Sequence, residues 1–506
     1  MRKLQSHLSA LLAAVLLLSA LACPVSAASA GFADVPADHW AASYIARAAD
    51  AGLVKGESAN TFGLGRSMTR AAFVVVLCRL FGWKMISPAA GTFKDVQDPS
   101  AWYYSAVETA LSKGAVAKQT GTFRPGDPVT REEMAVMLVR ALGYTTLAGI
   151  DQGFACPFRD VESNAGYLTM AYHLGITGGT APGLFSPEQT ATREQAVAML
   201  MRSYDRLTRG APERIGILSG TGGPTDLSGY AAAAVPAAVL SGNGTLSAAM
   251  TKEQAASAAA AAKKAGVKLL LRVAGSPDSL GAAAGSASAI ASAAAAGGYD
   301  GVLLDIPGVP AEKKDAFTAL TAALDAGLSD RLLYVAADAP SSGGTALGYD
   351  FASLSAHADR LILRVAPYSR TVNGFPTAPL EPLEEVYYAL AALKDSGVPG
   401  KKLSLYLTTT GSAWTGTAFA GNIPASEVEA LLSASSVTAS YSARYGTAYL
   451  SRAVGSSRTV VWYHTADSAA ARVRMGAFFG VCSVCLSDLS SVADYADYSL
   501  LAGLKK

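Results

Sequence analysis

The sequence predicts a multidomain chain in which an all-α repeat array precedes an α/β domain of the (β/α)8 barrel type. A helix–loop–helix unit recurs three times within residues 31–208, and short strand-like runs then alternate with Ala-rich helical stretches from residue 212 to 506. Copies of a unit that return every 60 or so residues bury their apolar faces against one another. Alternating strands and helices over this length favour a closed parallel barrel.

Residues 1–27 have the composition of an export signal peptide. Arg2 and Lys3 precede an apolar run at 11–21, and small residues at 25–27 form a cleavage site. No later run is long and apolar enough to cross a membrane, so we expect no transmembrane segment once the signal is removed. The net charge of +2 argues against a nucleic-acid partner.

Each repeat opens on the same four-residue pattern and then presents a Thr-Arg pair. Asp34, Asp95 and Asp160 stand in Phe-x-Asp-Val, and Thr69, Thr130 and Thr192 follow them by 35, 35 and 32 residues. A Thr just before an apolar run is a good helix N-cap, and Glu133 completes a capping box after Thr130. The predicted units are residues 31–84, 92–145 and 157–208.

These repeats resemble the S-layer homology (SLH) family, whose triple arrays anchor exported bacterial proteins to the cell wall. The resemblance implies a secondary cell-wall polysaccharide as partner, with a pyruvate ketal whose carboxylate the arginines after each cap would hold. A planar guanidinium at a helix start suits that role. The residues implied in wall binding are Asp34, Trp40, Arg70, Asp95, Trp102, Arg131, Asp160 and Arg193.

The alternative is that each arginine pairs with a neighbouring carboxylate. The first unit lacks an acid after its arginine, and Tyr167 replaces Trp in the third, so we expect the second unit to form the best groove.

Residues 212–506 contain eight strand-like runs, which favour a barrel with any site at the carboxyl ends of its strands. A doubly wound open sheet is the alternative, but no Gly-rich phosphate loop follows the first run. Cys482 and Cys485 lie three apart on the last run and point to opposite faces, which disfavours a shared metal. No metal or cofactor site is predicted. The runs are 214–218, 238–240, 267–271, 301–306, 332–336, 360–365, 403–407 and 481–486.

Segments of this region resemble family 18 glycoside hydrolases, in particular the bacterial spore and cell-wall branch. The segment Asp300-Gly301-Val302-Leu303-Leu304-Asp305-Ile306-Pro307 lies where that family has D-G-x-D-x-D-x-E on its fourth strand. The resemblance implies substrate-assisted hydrolysis of N-acetylated glycans, with the final Glu as the acid.

The catalytic signature is degenerate. Pro307 stands in place of the acid and has no proton to give, so only Asp305 keeps its identity, as a remnant of the signature. Ala366, Pro367 and Ser487 replace further site residues of the family. No catalytic residue is therefore assigned. A possible ligand site at the barrel mouth comprises Arg272, Asp305, Asp338, Arg364, Tyr368, Trp414 and Asp488, several of which could instead pair with each other.

The sequence therefore predicts a secreted protein of a bacterial cell wall or S-layer, held non-covalently by its repeats. The barrel is expected to be inactive and to bind glycan, with peptidoglycan or another N-acetylated glycan as its partner. Two alternatives remain. One is an active glycoside hydrolase or peptidoglycan-acting enzyme that uses Asp305 with Asp338 or Asp488, and the other is a purely structural envelope component.

Overall fold

The computed structural model describes residues 31–118, 121–150, 153–219, 226–343, 347–365, 377–492 and 499–504. The predicted signal peptide lies outside these ranges, as do Ala366, Pro367 and Tyr368. The chain divides into two compact units. The first takes in the described residues up to Gly143 with Pro157–Leu168 and Ile176–Tyr204, and the second takes in Tyr144–Cys156, Thr169–Gly175 and the residues from Asp205 onwards.

The regular structure of the repeats is helical. Thr69 and Thr130 cap the helices that begin at Arg70 and Arg131 through their hydroxyls, as predicted, and Glu133 completes a capping box. Gly52 follows α1 with a φ of +68°, a left-handed conformation that glycine adopts without strain. The helices are α1 Ala42–Asp50, α2 Arg70–Leu80, α3 Tyr104–Ser112, α4 Arg131–Ala141, α5 Thr145–Ala148, α6 Ala165–His173 and α7 Arg193–Leu207.

Three backbone hydrogen bonds close the repeats into a ring. The N–H of Val129 donates to Met68 O at 2.9 Å, that of Ala191 donates to Val129 O at 3.0 Å, and that of Met68 donates to Ala191 O at 3.0 Å. Isolated β-bridges accompany these bonds, so the repeats are joined by extended backbone as well as by helix packing. The third repeat thus pairs back onto the first.

Eight parallel strands close into a barrel, and all eight predicted runs lie in them. The order is β1-β2-β4-β5-β6-β7-β8-β14, and β14 pairs with β1, which excludes the open doubly wound sheet. The strands are β1 Glu213–Ile217, β2 Ala232–Leu240, β4 Lys268–Gly275, β5 Gly301–Asp305, β6 Leu332–Asp338, β7 Arg360–Arg364, β8 Leu403–Leu407 and β14 Ser483–Leu486.

Helices follow the barrel strands, and the short strand β3 (Leu246–Ala248) lies antiparallel on β2. Each helix that the structure describes is too short or too polar to span a bilayer. The helices of this region are α8 Lys252–Ala265, α9 Ala283–Ala296, α10 Lys314–Leu328, α11 Phe351–His357, α12 Leu383–Asp395, α14 Ala466–Phe478 and α15 Leu500–Leu504.

A second sheet, which the sequence did not predict, is formed by residues that follow β8 and precede β14 in the chain. Five antiparallel strands pair in the order β10-β9-β13-β12-β11, and α13 (Ala425–Leu432) packs on them. The strands are β9 Gly411–Thr415, β10 Ala418–Ile423, β11 Thr438–Ser442, β12 Thr447–Val454 and β13 Ser457–Tyr463.

The interior of the barrel is packed with apolar side chains. Leu270, Leu303 and Ile362 are fully buried among residues of the neighbouring strands. Since successive side chains on a strand alternate between faces, the inward positions two residues further on are Arg272, Asp305 and Arg364. The packed core therefore ends in a charged layer at the carboxyl end of the strands.

Candidate functional site

The three SLH-type arginines share one arrangement across repeat boundaries. The Nε–H of each arginine donates to the carbonyl of a phenylalanine in the next repeat. Its guanidinium lies over the aromatic side chain of that phenylalanine, 4.9 to 5.0 Å from the ring centroid. The pairs are Arg70 with Phe123, Arg131 with Phe185 and Arg193 with Phe62, with Nε–O distances of 2.8, 2.9 and 2.9 Å.

The helix starts themselves are not free to bind an anion, which corrects the sequence-based expectation. The N–H groups of Arg131 and Glu132 donate to Gln189 O and Pro187 O of the third repeat, and that of Glu133 donates to the Thr130 hydroxyl. The same pattern holds at Arg70, whose N–H donates to Asp127 O. The N–H groups at these helix N-termini are therefore already hydrogen-bonded within the array. The group that can still bind an anionic ligand is the guanidinium.

The three aspartates hold loops, because backbone N–H groups occupy both of their carboxylate oxygens. Asp34 accepts from Phe62, Gly63 and Leu64 at 2.7 to 3.0 Å, and Asp95 and Asp160 each accept from two successive N–H groups. At Asp34 burial raises the pKa, but these hydrogen bonds outweigh it and lower the pKa. The three aspartates thus position the phenylalanine loops, and their predicted part in shaping the polysaccharide grooves stays a prediction.

One groove of about 400 Å³ contains Arg131, and we call it the Arg131 groove. Arg131 is only 6% exposed, while Trp40 on the rim is 55% exposed. Burial and the nearby guanidinium of Arg202 lower the pKa of Arg131. Within the described part of the array, Arg131 forms no ion pair. The Arg131 groove is lined by residues that include Trp40, Arg131, Thr177, Thr180, Gln189, Gln195 and Arg202.

A second groove of about 440 Å³ contains Arg70, and we call it the Arg70 groove. Here Arg70 Nη1 lies 2.5 Å from Glu133 Oε1, so the alternative of a neighbouring carboxylate applies to this arginine. Glu132, on the same wall, accepts from Ser163 Oγ at 2.7 Å. Glu133 also pairs with Arg124, and the other charged residues that line the groove are Glu132, Glu188 and Arg140.

The remaining predicted residues of the array lie in less enclosed places. Arg193 donates its Nη2 to Lys55 O at 3.0 Å; burial lowers its pKa, while Glu57, Asp34 and Glu194 act to raise it. Trp102 is 66% exposed and contacts Tyr103 edge to face.

In the barrel, four of the predicted mouth residues form one ion-pair chain. Arg272 donates from Nε and Nη2 to Asp305 Oδ2 at 2.8 and 2.6 Å, and Arg364 Nη1 contacts Asp305 Oδ1. Arg364 Nε in turn donates to Asp338 Oδ1 at 2.7 Å. Burial lowers the pKa of Arg364, but Asp305 and Asp338 outweigh it and raise the pKa. The alternative that these residues pair with each other is therefore confirmed for these four.

Asp338 is fixed further by the loop after β5. It accepts from the N–H of Gly308 at 2.6 Å and from the Tyr349 hydroxyl at 3.1 Å. Pro307 is exposed directly after β5, next to Asp305. Arg364 Nη2 is buried without a hydrogen-bond partner among the described residues. The mouth thus offers one unused donor and, in place of the family's acid, a proline.

Trp414 and Asp488 do not join this cluster. Trp414, expected just past a barrel strand, lies in β9 of the inserted sheet, where it is 9% exposed and packs with Tyr445 and Trp462. The sheet begins four residues after β8, so Trp414 belongs to an inserted strand, and its part in a ligand site stays a prediction. Asp488 caps a short 3₁₀ turn by accepting from Ser490 N at 2.8 Å.

Sequence reasoning missed a buried cluster that joins the inserted sheet to the barrel. His464 Nε2 contacts Glu381 Oε2 at 2.5 Å, and Arg472 is fully buried and donates to the carbonyl groups of Leu380, Glu381, Tyr445 and Gly446. Burial and Arg472 lower the pKa of His464, against the opposing effect of Glu381. These residues are up to 92 positions apart, and only the buried contacts connect them.

Comparison with known proteins agrees with this architecture. The model of Glycosyl hydrolases family 18 matches residues 219–477, and that of the S-layer homology domain matches 31–74, 92–135 and 157–197. A chitinase from Chromobacterium violaceum ATCC 12472 superposes with a TM-score of 0.51 at 18% identity, covering 58% of this chain and all of that one. At this identity the likeness shows the fold alone.

Two curated relatives match part of the chain. The chain is 31% identical to an S-layer protein of Bacillus thuringiensis subsp. finitimus over 36% of its own length, and 30% identical to an endoglucanase of Bacillus sp. (strain KSM-635) over 39%. It spans about a fifth, 22%, of each relative. The S-layer homology domains mark the chain as a protein of the cell wall or S-layer surface. The chain therefore belongs to Glycosyl hydrolases family 18 and carries three S-layer homology domains ahead of its family 18 barrel.

Proposed function

We propose that the protein is a secreted wall-bound polypeptide that displays a catalytically inactive family 18 barrel. The repeats anchor it to a cell-wall polysaccharide that carries an acidic, pyruvate-ketal sugar. The observation that carries the anchoring role is the Arg131 groove, in which a deeply buried guanidinium without an ion-pair partner faces Arg202 and the exposed Trp40. A sugar with a carboxylate presents one apolar face for the indole and one anion for the arginines.

Inactivity of the barrel is proposed from the mouth. Substrate-assisted cleavage needs an acid at the scissile oxygen and a carboxylate that orients the acetamide. Pro307 cannot supply the first. Asp305 is held at both oxygens by Arg272 and Arg364, so it would have to break two ion pairs before it could turn toward a substrate. A displayed barrel that binds glycan without cleaving it fits both observations.

The anchoring role is tested by sedimentation of the purified full chain with bacterial walls. We expect binding to native walls, loss of most binding to walls stripped of secondary polysaccharide, and a loss of about tenfold or more in Arg131→Ala, since a hydrogen bond to a charged group contributes about 1.5–3 kcal/mol. Arg66→Ala is the matched control, because that arginine is exposed, pairs with Glu57 and lines neither groove. Equal binding to stripped and native walls would exclude polysaccharide anchoring.

The alternative is an active hydrolase of N-acetylated glycans or peptidoglycan. It is favoured by the presence of the barrel and by Asp305 on β5. Incubating the full chain with chitin oligomers and with muropeptides, and measuring binding and cleavage separately, decides between the two functions. Binding without release of products supports a glycan-binding barrel, whereas products that disappear in Asp305→Asn support the enzyme.

A further inference from the structure

The Arg131 and Arg70 grooves place an arginine after a helix cap in the same way, but their linings differ, most directly at the capping-box residue. In the Arg70 groove the capping-box residue is Glu133, whose Oε2 accepts from Thr130 N at 3.0 Å. Its Oε1 lies 2.5 Å from Arg70 Nη1 and 2.6 Å from Arg124 Nη2. One carboxylate therefore caps a helix and neutralises two guanidinium groups.

In the Arg131 groove the equivalent residue is Gln195. Its Oε1 accepts from Thr192 N at 3.3 Å, so it forms the same capping contact without a charge. Arg131 and Arg202 then face the groove together, and an amide stands where the other groove has a carboxylate. Two cations without a counter-ion repel each other, which an anionic ligand between them relieves.

A carboxylate ligand would meet competition in the Arg70 groove. It would have to displace Glu133 from Arg70, although only 12% of the Arg70 side chain and 25% of the Glu133 side chain is exposed, and it would approach Glu132 and Glu188 on the same walls. Arg193, the third arginine, is bound by Lys55 O and lies in the field of Glu57, Asp34 and Glu194. Asp160 acts on Arg131 only through its field. Of the two described grooves, the Arg131 groove is therefore the one whose arginine has no direct ion pair.

We infer that the Arg131 groove alone takes the acidic sugar, and that Glu133 is a built-in counter-ion that closes the Arg70 groove to carboxylates. This inference rests on the proposed anchoring function. It means that the three repeats supply one acidic-sugar site, and that the choice of Glu or Gln at the third helical position decides which groove binds an anion.

The test is isothermal titration of the full chain with a monosaccharide that bears a pyruvate ketal. Native protein is expected to bind one equivalent, and Arg131→Ala to lose binding by about tenfold or more. Glu133→Gln copies the residue that the third repeat already has, keeps a capping acceptor, and is expected to raise the stoichiometry to two. The reciprocal Gln195→Glu should abolish the native site, and thermal melting of each variant checks that the array stays folded.

The outcomes separate the two proposals. If native protein binds one equivalent and Glu133→Gln still binds one, the counter-ion role of Glu133 is wrong while anchoring stands. Two or three equivalents in the native chain would likewise overturn the inference. If neither native protein nor Glu133→Gln binds the sugar, the proposed function fails and the inference fails with it.

Discussion

The array and the barrel both bury arginines at their candidate sites, but they surround them with different partners. Arg131 contacts the carbonyl and ring of Phe185, two neutral groups, and no carboxylate of the described array forms an ion pair with it, although Asp160 lies near enough to act on its charge. Arg364 lies between Asp305 and Asp338, so its charge is fully used inside the barrel. The first arrangement leaves an arginine that an anion can pair with, while in the second both carboxylates already pair with the arginine and Nη2 lacks a hydrogen-bond partner among the described residues.

This contrast explains why similar residues support different proposals. A buried cation without a partner is costly, and retaining it is consistent with a ligand that supplies the missing charge. A buried cation with two carboxylates is satisfied, and removing any member leaves the others unpaired. Substituting the buried arginine should therefore weaken ligand binding more than stability in the array. In the barrel, the same kind of substitution should lower the free energy of unfolding.

The largest effect is expected for Arg364→Met. It leaves Asp338 without an ion pair and Asp305 with Arg272 alone, and breaking such a network costs about 3–5 kcal/mol in the free energy of unfolding. Arg131→Met is the matched variant in the array and should cost clearly less, since it removes neutral contacts. Urea unfolding of both variants, followed by circular dichroism, gives the comparison. Equal losses would show that the two arginines are held in the same way.

A smaller effect is expected for Asp34→Asn, which keeps the size of the side chain and loses one acceptor. Asp34 accepts three backbone N–H groups, so the array should lose about 1–2 kcal/mol. Because its folded pKa is lowered, the stability from Asp34 is present above its ordinary pKa of 3.8 and is lost as the pH falls below that value. Asp98→Asn, whose carboxylate bonds to Ser100 in its own turn, should change stability little. An unchanged acid midpoint in Asp34→Asn would contradict this role.

The buried His464 predicts a separate dependence on pH in the barrel. Its folded pKa lies below the ordinary value of 6.5, so below pH 6.5 the unfolded chain binds a proton that the folded chain does not. Stability should therefore fall as the pH decreases from 6.5, by up to about 1.4 kcal/mol per pH unit for this group. His464→Gln should flatten that slope, measured by urea unfolding between pH 7 and 5. A slope that is identical in both proteins would exclude His464.

No change is expected for Pro307→Glu in turnover of a chitotriose reporter. The new acid would lie beside Asp305, whose oxygens remain bound to Arg272 and Arg364, and the positions of Ala366, Pro367 and Ser487 would still differ from the family. Circular dichroism confirms that the variant is folded. Turnover by the unmodified protein that disappears in Asp305→Asn would overturn inactivity and support the enzyme.

The fold could be predicted further than the sites. Eight strand-like runs gave all eight barrel strands because parallel strands buried on both faces are continuous apolar runs. The inserted sheet was missed because strands such as β10 and β11 are largely exposed, and their residues do not form such runs. The spacing of Thr and Arg identified the helix caps, but the partners of the arginines come from other repeats, and no pattern within one repeat encodes them.

The ring of hydrogen bonds through Met68, Val129 and Ala191 fixes the number of repeats. Each extended segment donates to one neighbour and accepts from the other, so three copies satisfy one another and no edge is left for a fourth. Open solenoids can gain or lose a repeat at their ends, whereas this array has none. Deleting or adding one unit would leave backbone groups unpaired at the centre of the ring. We therefore expect repeats to be added to such an array only as a complete set of three.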